Sequence, residues 1–155
     1  MCTYNAIRIF PNRDIVVYKY LFAKKQGGDK MFWSPYYDFL FEIGKTYETD
    51  MEIATSTPNK DLIFPSVNGG FFHSYMYFTD AKHNAQLTKY RLLLNGIVPV
   101  IGKFIIPKDA IVLKGKDGNC LSCDTYCSTK IKFVGLVDKP DRPEPPSKPF
   151  FPTFI

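Results

Sequence analysis

Alternation of apolar and polar residues predicts β-strands over most of the chain. The segment 15–22 combines β-branched with aromatic residues, and the segment 71–78 follows two glycines and alternates between two faces. Turn residues such as Pro, Asn and Asp separate these segments from their neighbours. Further strands are predicted at 4–10, 36–47, 97–106, 110–114 and 130–137. The pattern therefore predicts about six to eight strands in an antiparallel or mixed sheet.

One segment has helical periodicity instead. Thr79 is a suitable N-cap, Asp80 places a negative charge in the first turn, and Gly96 suits the exit. One helical face is predicted for Ala81, Ala85, Thr88 and Leu92. We predict one main helix over about 80–94 and hence an α+β fold in a single domain.

The C-terminal segment differs in composition from the rest of the chain. Residues 138–155 hold six of the twelve prolines, and such a segment favours the polyproline II conformation over strand pairing. We therefore divide the chain into a globular domain, 1–137, and a Pro-rich extended tail, 138–155. The tail either folds back over a sheet edge or face of its own domain, or docks on a partner through Phe150, Phe151 and Phe154.

Composition and charge fit one globular domain. The chain has 155 residues, of which 45% are hydrophobic and 23% charged, and these values exclude disordered, collagen-like and coiled-coil chains. No apolar run approaches the ~20 residues of a membrane-spanning helix, so we expect no membrane partner. The net charge of +5 is by itself too weak to indicate nucleic acid.

Three of the four cysteines lie in one short window, at Cys120, Cys123 and Cys127. This clustering, with an N-terminus unlike a secretory signal, predicts a reducing cytoplasm. The Cys-x2-Cys spacing lets two thiolates reach one Zn²⁺, with Cys127 as a third ligand and no fourth nearby. Three states stay open: a structural zinc site in a nucleic-acid-binding zinc knuckle, unligated thiols, or an oxidised pair. No cofactor other than zinc is expected.

Short motifs give the chain a family resemblance. They are Ser-Pro-Tyr at 34–36, Ile-Gly-Lys-Thr-Tyr at 43–47, Gly-Gly-Phe-Phe-His-Ser-Tyr at 69–75 and Asp-Ala at 80–81. Together they resemble a loose group of small, uncharacterised phage and prophage proteins, over about residues 15–115. The resemblance implies a mobile-element protein in the bacterial cytoplasm. It implies an accessory protein without enzymatic activity that binds and inhibits or modulates a host defence protein or ribonucleoprotein, as an anti-CRISPR does.

His73 is the weak candidate for catalysis. Strand alternation places it on one face with Phe71, Tyr75 and Tyr77, where it could act as a general base or contact a nucleotide. The enzyme alternative is therefore a small ADP-ribosyltransferase-like protein centred on His73. That class also uses a late glutamate, and no glutamate lies on a late predicted strand. A half-buried structural histidine is the favoured interpretation.

Four lysines flank the cysteine window, and we expect the two strands that carry them to pair. They are Lys114, Lys116, Lys130 and Lys132. Pairing would gather their charges at one end of the sheet, where they could contact RNA or an acidic host protein. The alternative is a solvated edge that lysines protect against aggregation.

Overall fold

A computed structural model describes residues 3–26, 29–34, 39–49, 63–67, 70–92, 97–117 and 123–146. Within these residues, eleven strands form one sheet beside a single helix. In chain order the elements are β1 (Thr3–Ile9), β2 (Ile15–Gln26), β3 (Asp29–Trp33), β4 (Leu40–Phe41), β5 (Thr46–Glu48), β6 (Ile63–Val67), β7 (Phe72–Tyr75), α1 (Phe78–Leu92), β8 (Val98–Ile106), β9 (Val112–Asp117), β10 (Asp124–Ser128) and β11 (Lys130–Leu136). The predicted α+β class is confirmed.

The sheet follows the order β5-β11-β8-β2-β7-β10-β9-β1-β6, with β3 on β2 and β4 on β3. Every described pairing is antiparallel, which settles the choice between antiparallel and mixed. The predicted strand 36–47 is instead split into β4 and β5, because the chain turns at Gly44, whose φ of +87° suits glycine. Strand β6 contains Pro65, which is tolerated there because β6 is an edge strand.

A bend in the chain curls the sheet. Thr129 alone separates β10 from β11, yet β8, β2 and β7 lie between those two strands in the sheet. Thr129 donates its N–H to the carbonyl of Ile111 at 3.1 Å, and its Oγ1 accepts the N–H of Ile111 at 3.0 Å. These bonds hold the bend, so that strands far apart in the order face one another across a common core.

That core is rich in aromatic rings. The rings of Phe104 and Phe133 stack with centroids 4.7 Å apart, and Phe41 packs edge-on against Phe104 at 5.1 Å. Gly102 leaves the room for this stack, since a Cβ there would lie 2.8 Å from Phe104 and 3.0 Å from Phe133. Val112 on β9 joins the same cluster, which confirms that the curl closes over one interior.

The helix covers the opposite face of the sheet. Ala81 and Ala85 are buried in a second cluster with Tyr18 and Tyr75, as their predicted common face requires. For Thr88 and Leu92 the structure describes only the backbone. Helix α1 begins two residues before the predicted start of 80, so Thr79 lies inside it and is not its cap. Among the residues described, no helix has the length and apolar composition needed to cross a membrane.

The first part of the Pro-rich tail lies against its own domain. We call residues 138–146 the strap. Val137, just before it, donates its N–H to the carbonyl of Ile101 at 3.0 Å, and Asp141 donates its N–H to Tyr18 Oη at 2.9 Å. The strap therefore crosses β8 and β2 toward α1. Phe150, Phe151 and Phe154 lie outside the described residues, so a docking role for them stays a prediction.

Candidate functional site

A groove of about 910 Å³ lies between α1, the start of β8 and the beginning of the strap. Its helical wall is formed by Phe78, Lys82, Ala85 and Gln86, whose spacing places them on one face of α1. Ala85 is small enough to keep the space open between the helix and the strand. The groove therefore depends on the spacing of these residues along α1 and on the strap that lies beside the helix.

Apolar side chains reach solvent on the strand side of the groove. Val98 at the start of β8 is 51% exposed, and Leu136 at the end of β11 is 40% exposed. Both line the groove, together with Pro99. Large apolar side chains gathered in a concave site are typical of a binding surface, because their burial by a partner is favourable.

Charges at the rim of the groove balance. Lys82 and Lys139 contribute two positive charges, and Asp138 and Asp141 contribute two negative ones. Asp141 also forms an ion pair with Lys103, with Nζ and Oδ2 at 2.6 Å. The rim therefore offers both signs of charge, which suits a protein surface better than a row of phosphates.

Glu144 on the strap caps the N-terminus of α1. Its carboxylate accepts the N–H of Phe78 at 2.5 Å and the N–H of Thr79 at 3.0 Å, and the hydroxyl of Thr79 at 2.8 Å. A carboxylate at this position satisfies unpaired helix donors and interacts favourably with the helix dipole. The strap is therefore fastened to the end of the helix that forms the groove.

Asp80 lies beside this cap in an acidic setting. Its pKa is raised to about 6, first by partial burial and then by the neighbouring carboxylates of Glu144 and Asp124, while Lys116 lowers it and Asp117 raises it by smaller amounts. Protonation of Asp80 relieves repulsion against Glu144. The electrostatics at the start of α1 are thus coupled to the strap.

His73 lies in a buried polar network and not at the groove. It is 6% exposed, and its Nδ1 lies 3.3 Å from Thr3 Oγ1 and 3.3 Å from Cys127 Sγ. Thr3 Oγ1 in turn lies 3.0 Å from Thr125 Oγ1. The network joins β1, β7 and β10, and His73 is more deeply buried than the half-buried position expected for it.

Lys19 is a buried residue that the sequence analysis missed. Its Nζ donates a hydrogen bond to the carbonyl of His73, and its pKa is lowered to about 8 because burial disfavours the charge, with Cys127 opposing the shift. Strand alternation could have revealed it, because Val17 and Leu21, both fully buried, lie two residues to either side.

The cysteine window has a different chemistry at each of its described positions. Cys123 is 2% exposed and disulfide-bonded, whereas Cys127 is a buried thiol. Cys120 lies outside the described residues. Within the described ranges, no group of three or more His, Cys, Asp or Glu side chains is placed to hold a metal ion. A zinc site that uses Cys123 would require its disulfide to be reduced, so the zinc site stays a prediction.

The disulfide also bears on the expected compartment. Disulfides persist mainly in oxidising environments, whereas the clustering of the cysteines predicted a reducing one. The cytoplasmic location therefore stays a prediction.

The four candidate lysines do not share one hairpin. The expected pairing of their strands is wrong, because β9 pairs with β1 and β10, while β11 pairs with β5 and β8. Lys116 contacts Asp124 at 2.6 Å, and Lys130 contacts Asp109 at 2.8 Å. The bend between β10 and β11 separates Lys114 and Lys116 from Lys130 and Lys132. A partner contact through these lysines stays a prediction.

Comparison of the chain with family models, curated proteins and solved structures finds no significant match. The groove, the strap and the buried polar network are therefore the features from which a function can be inferred.

Proposed function

We propose that this chain is a mobile-element accessory protein that binds and inhibits or modulates a host defence protein or ribonucleoprotein, as an anti-CRISPR does. Binding occurs in the groove between α1, β8 and the strap. The observation that carries the proposal is the pair of exposed apolar side chains, Val98 and Leu136, in this concave site. The mobile-element setting rests on the sequence resemblance.

The balanced rim supports a protein partner in preference to bare nucleic acid. RNA binding gains its affinity from positive charge along the phosphate backbone. Here Asp138 and Asp141 would face the same partner as Lys82 and Lys139. In a ribonucleoprotein, the groove would therefore contact the protein component.

The enzyme alternative has different structural requirements. An ADP-ribosyltransferase-like reaction would need its substrate to reach His73, which is 6% exposed and packed among β1, β7 and β10. The groove needs no such rearrangement, because Val98 already faces solvent. For this reason the groove is the preferred site.

Charge substitutions in the groove test the proposal. Val98→Asp and Leu136→Asp should each weaken partner capture from a host lysate by about thirtyfold, equivalent to about 2 kcal/mol. Ile43→Asp is the matched control, because Ile43 is 57% exposed and does not line the groove. The same partner should be captured by the wild-type chain and by the control. Equal capture by all four proteins would contradict the proposal.

A further inference from the structure

Prolines recur in the tail at every third position. The series is Pro140, Pro143, Pro146, Pro149 and Pro152. A polyproline II helix has three residues per turn, so residues at this spacing share one ridge of it. Within 142–146 a second ridge carries Glu144, which, like Asp141, follows one of these prolines. The remaining ridge carries Arg142 and Pro145.

Both acidic residues contact the domain that carries the strap. Asp141 contacts Lys103, and Glu144 caps α1. Glu144 is the one residue of 142–146 that is not exposed, while Arg142, Pro143, Pro145 and Pro146 are all exposed. Over 142–146 the domain therefore holds Glu144 and leaves two ridges facing solvent, one with Pro143 and Pro146 and the other with Arg142 and Pro145.

The backbone of this segment is restricted by its own sequence. Each proline fixes its φ near −65°, and a residue before proline avoids the helical region. Arg142, Glu144 and Pro145 all precede prolines. The segment 143–146 accordingly contains neither helix nor strand. Since Glu144 is also fastened to α1, little conformational entropy is left to lose when a partner binds.

We propose that the outer face of residues 142–146 docks into an aromatic-lined groove of a partner protein with carboxylates at its rim. Two Xaa-Pro units, Arg142-Pro143 and Pro145-Pro146, lie one turn apart on the two solvent-facing ridges. Aromatic-lined grooves recognise such paired units in Pro-rich ligands. The positively charged guanidinium of Arg142 would form an ion pair with an acidic residue that lies beside the aromatic pockets of the partner. The inference rests on the proposed partner-binding function and names the chemistry of the partner.

Purified SH3 and WW domains with intact aromatic grooves are suitable probes. The whole 155-residue chain should bind at least one of them with a Kd below about 1 mM. The double variant Pro143→Ala/Pro146→Ala should weaken that binding about tenfold or more, and Arg142→Glu should do the same. Pro140→Ala is the control, because Pro140 is half-buried and precedes the bend at 141–142, and it should leave the binding unchanged.

The test also separates this inference from the proposed function. Val98→Asp should lose the host partner at the groove yet keep its affinity for the probe domain, since Val98 lies outside 142–146. Absence of binding to every probe, or equal binding by the wild-type chain and the double Pro variant, would overturn the inference. Retained circular dichroism and Tm would show that each variant is folded.

Discussion

Lys19 carries an amino group into the apolar interior, on the same face of β2 as Val17 and Leu21. Its hydrogen bond to the carbonyl of His73 joins β2 to the network around Cys127. Burial of an amino group disfavours its charged form, and the lowered pKa of Lys19 reports this. The charged form of Lys19 therefore lowers the free energy of unfolding, by an amount that depends on pH.

Raising the pH should relieve that penalty. Between about pH 8, the folded pKa, and about 10.5, the ordinary value, the unfolded chain binds more protons than the folded one, so stability rises with pH. Relative to Lys19→Met, the free energy of unfolding of the parent should rise by about 2 kcal/mol from pH 7 to pH 9.5. Urea unfolding measures this, with Cys127→Ala in both proteins to remove the neighbouring thiol that also affects the pKa of Lys19. A difference that does not change with pH would contradict this description of Lys19.

Asp80 should show the opposite direction of pH dependence. Its pKa is about 6 in the folded chain and 3.8 ordinarily, so its contribution to stability is largest below about pH 4 and is lost as pH rises through 6. Asp80→Asn should therefore have a higher Tm than the wild type at pH 7.5 and the same Tm at pH 3.5. Asp138→Asn, which removes an exposed carboxylate from the strap, is the control. An equal effect of Asp80→Asn at both pH values would contradict the account in which burial and the neighbouring carboxylates disfavour the charged form of Asp80.

At the scale of elements, the strap and α1 depend on each other. The helix begins where Glu144 accepts its first N–H groups, although Glu144 is 66 residues from Phe78 along the chain. Thr79 was the cap expected from local sequence. A capping contact over such a distance leaves no local signal, whereas the alternation and periodicity that predicted β2, β8 and α1 are local.

Removal of the capping carboxylate should loosen both elements. Glu144→Ala should lower the free energy of unfolding by about 1 kcal/mol and the Tm by about 2–4 °C. It should also speed hydrogen exchange of the Asp141 amide, which donates to Tyr18 Oη, because the strap loses its anchor. Glu42→Ala, a change at an exposed glutamate elsewhere, should do neither. An unchanged Tm together with unchanged exchange of the Asp141 amide would mean that the strap is held by other contacts.

At the scale of the whole molecule, pairing between distant strands decides which residues meet. Cys127 lies opposite His73 because β10 pairs with β7, and 54 residues separate them along the chain. The alternation of apolar and polar residues predicted that His73 lies on a strand. The pattern of one strand does not specify which residue of another strand lies beside it. The prediction that the two lysine-bearing strands pair was wrong for the same reason. The bend at Thr129 places β11 in another part of the sheet, away from β9.

The groove itself also arises at this scale. Phe78 and Ala85 come from α1, Val98 from β8 and Leu136 from the end of β11. The predicted helix and strands were largely correct, yet their assembly into one concave surface depends on the sheet order and on the strap. The proposed partner-binding site could therefore not be located from the sequence, because it depends on how distant segments of the chain come together.

Site-specific photo-crosslinking in host cells tests the central claim, that the groove binds a host protein, most directly. A photoreactive residue at Gln86, an exposed position in the groove, should give one discrete crosslinked protein, and the same residue at Ile43 should not. Val98→Asp in the same chain should abolish the crosslink. A crosslinked product common to both positions, or none from Gln86, would contradict the account.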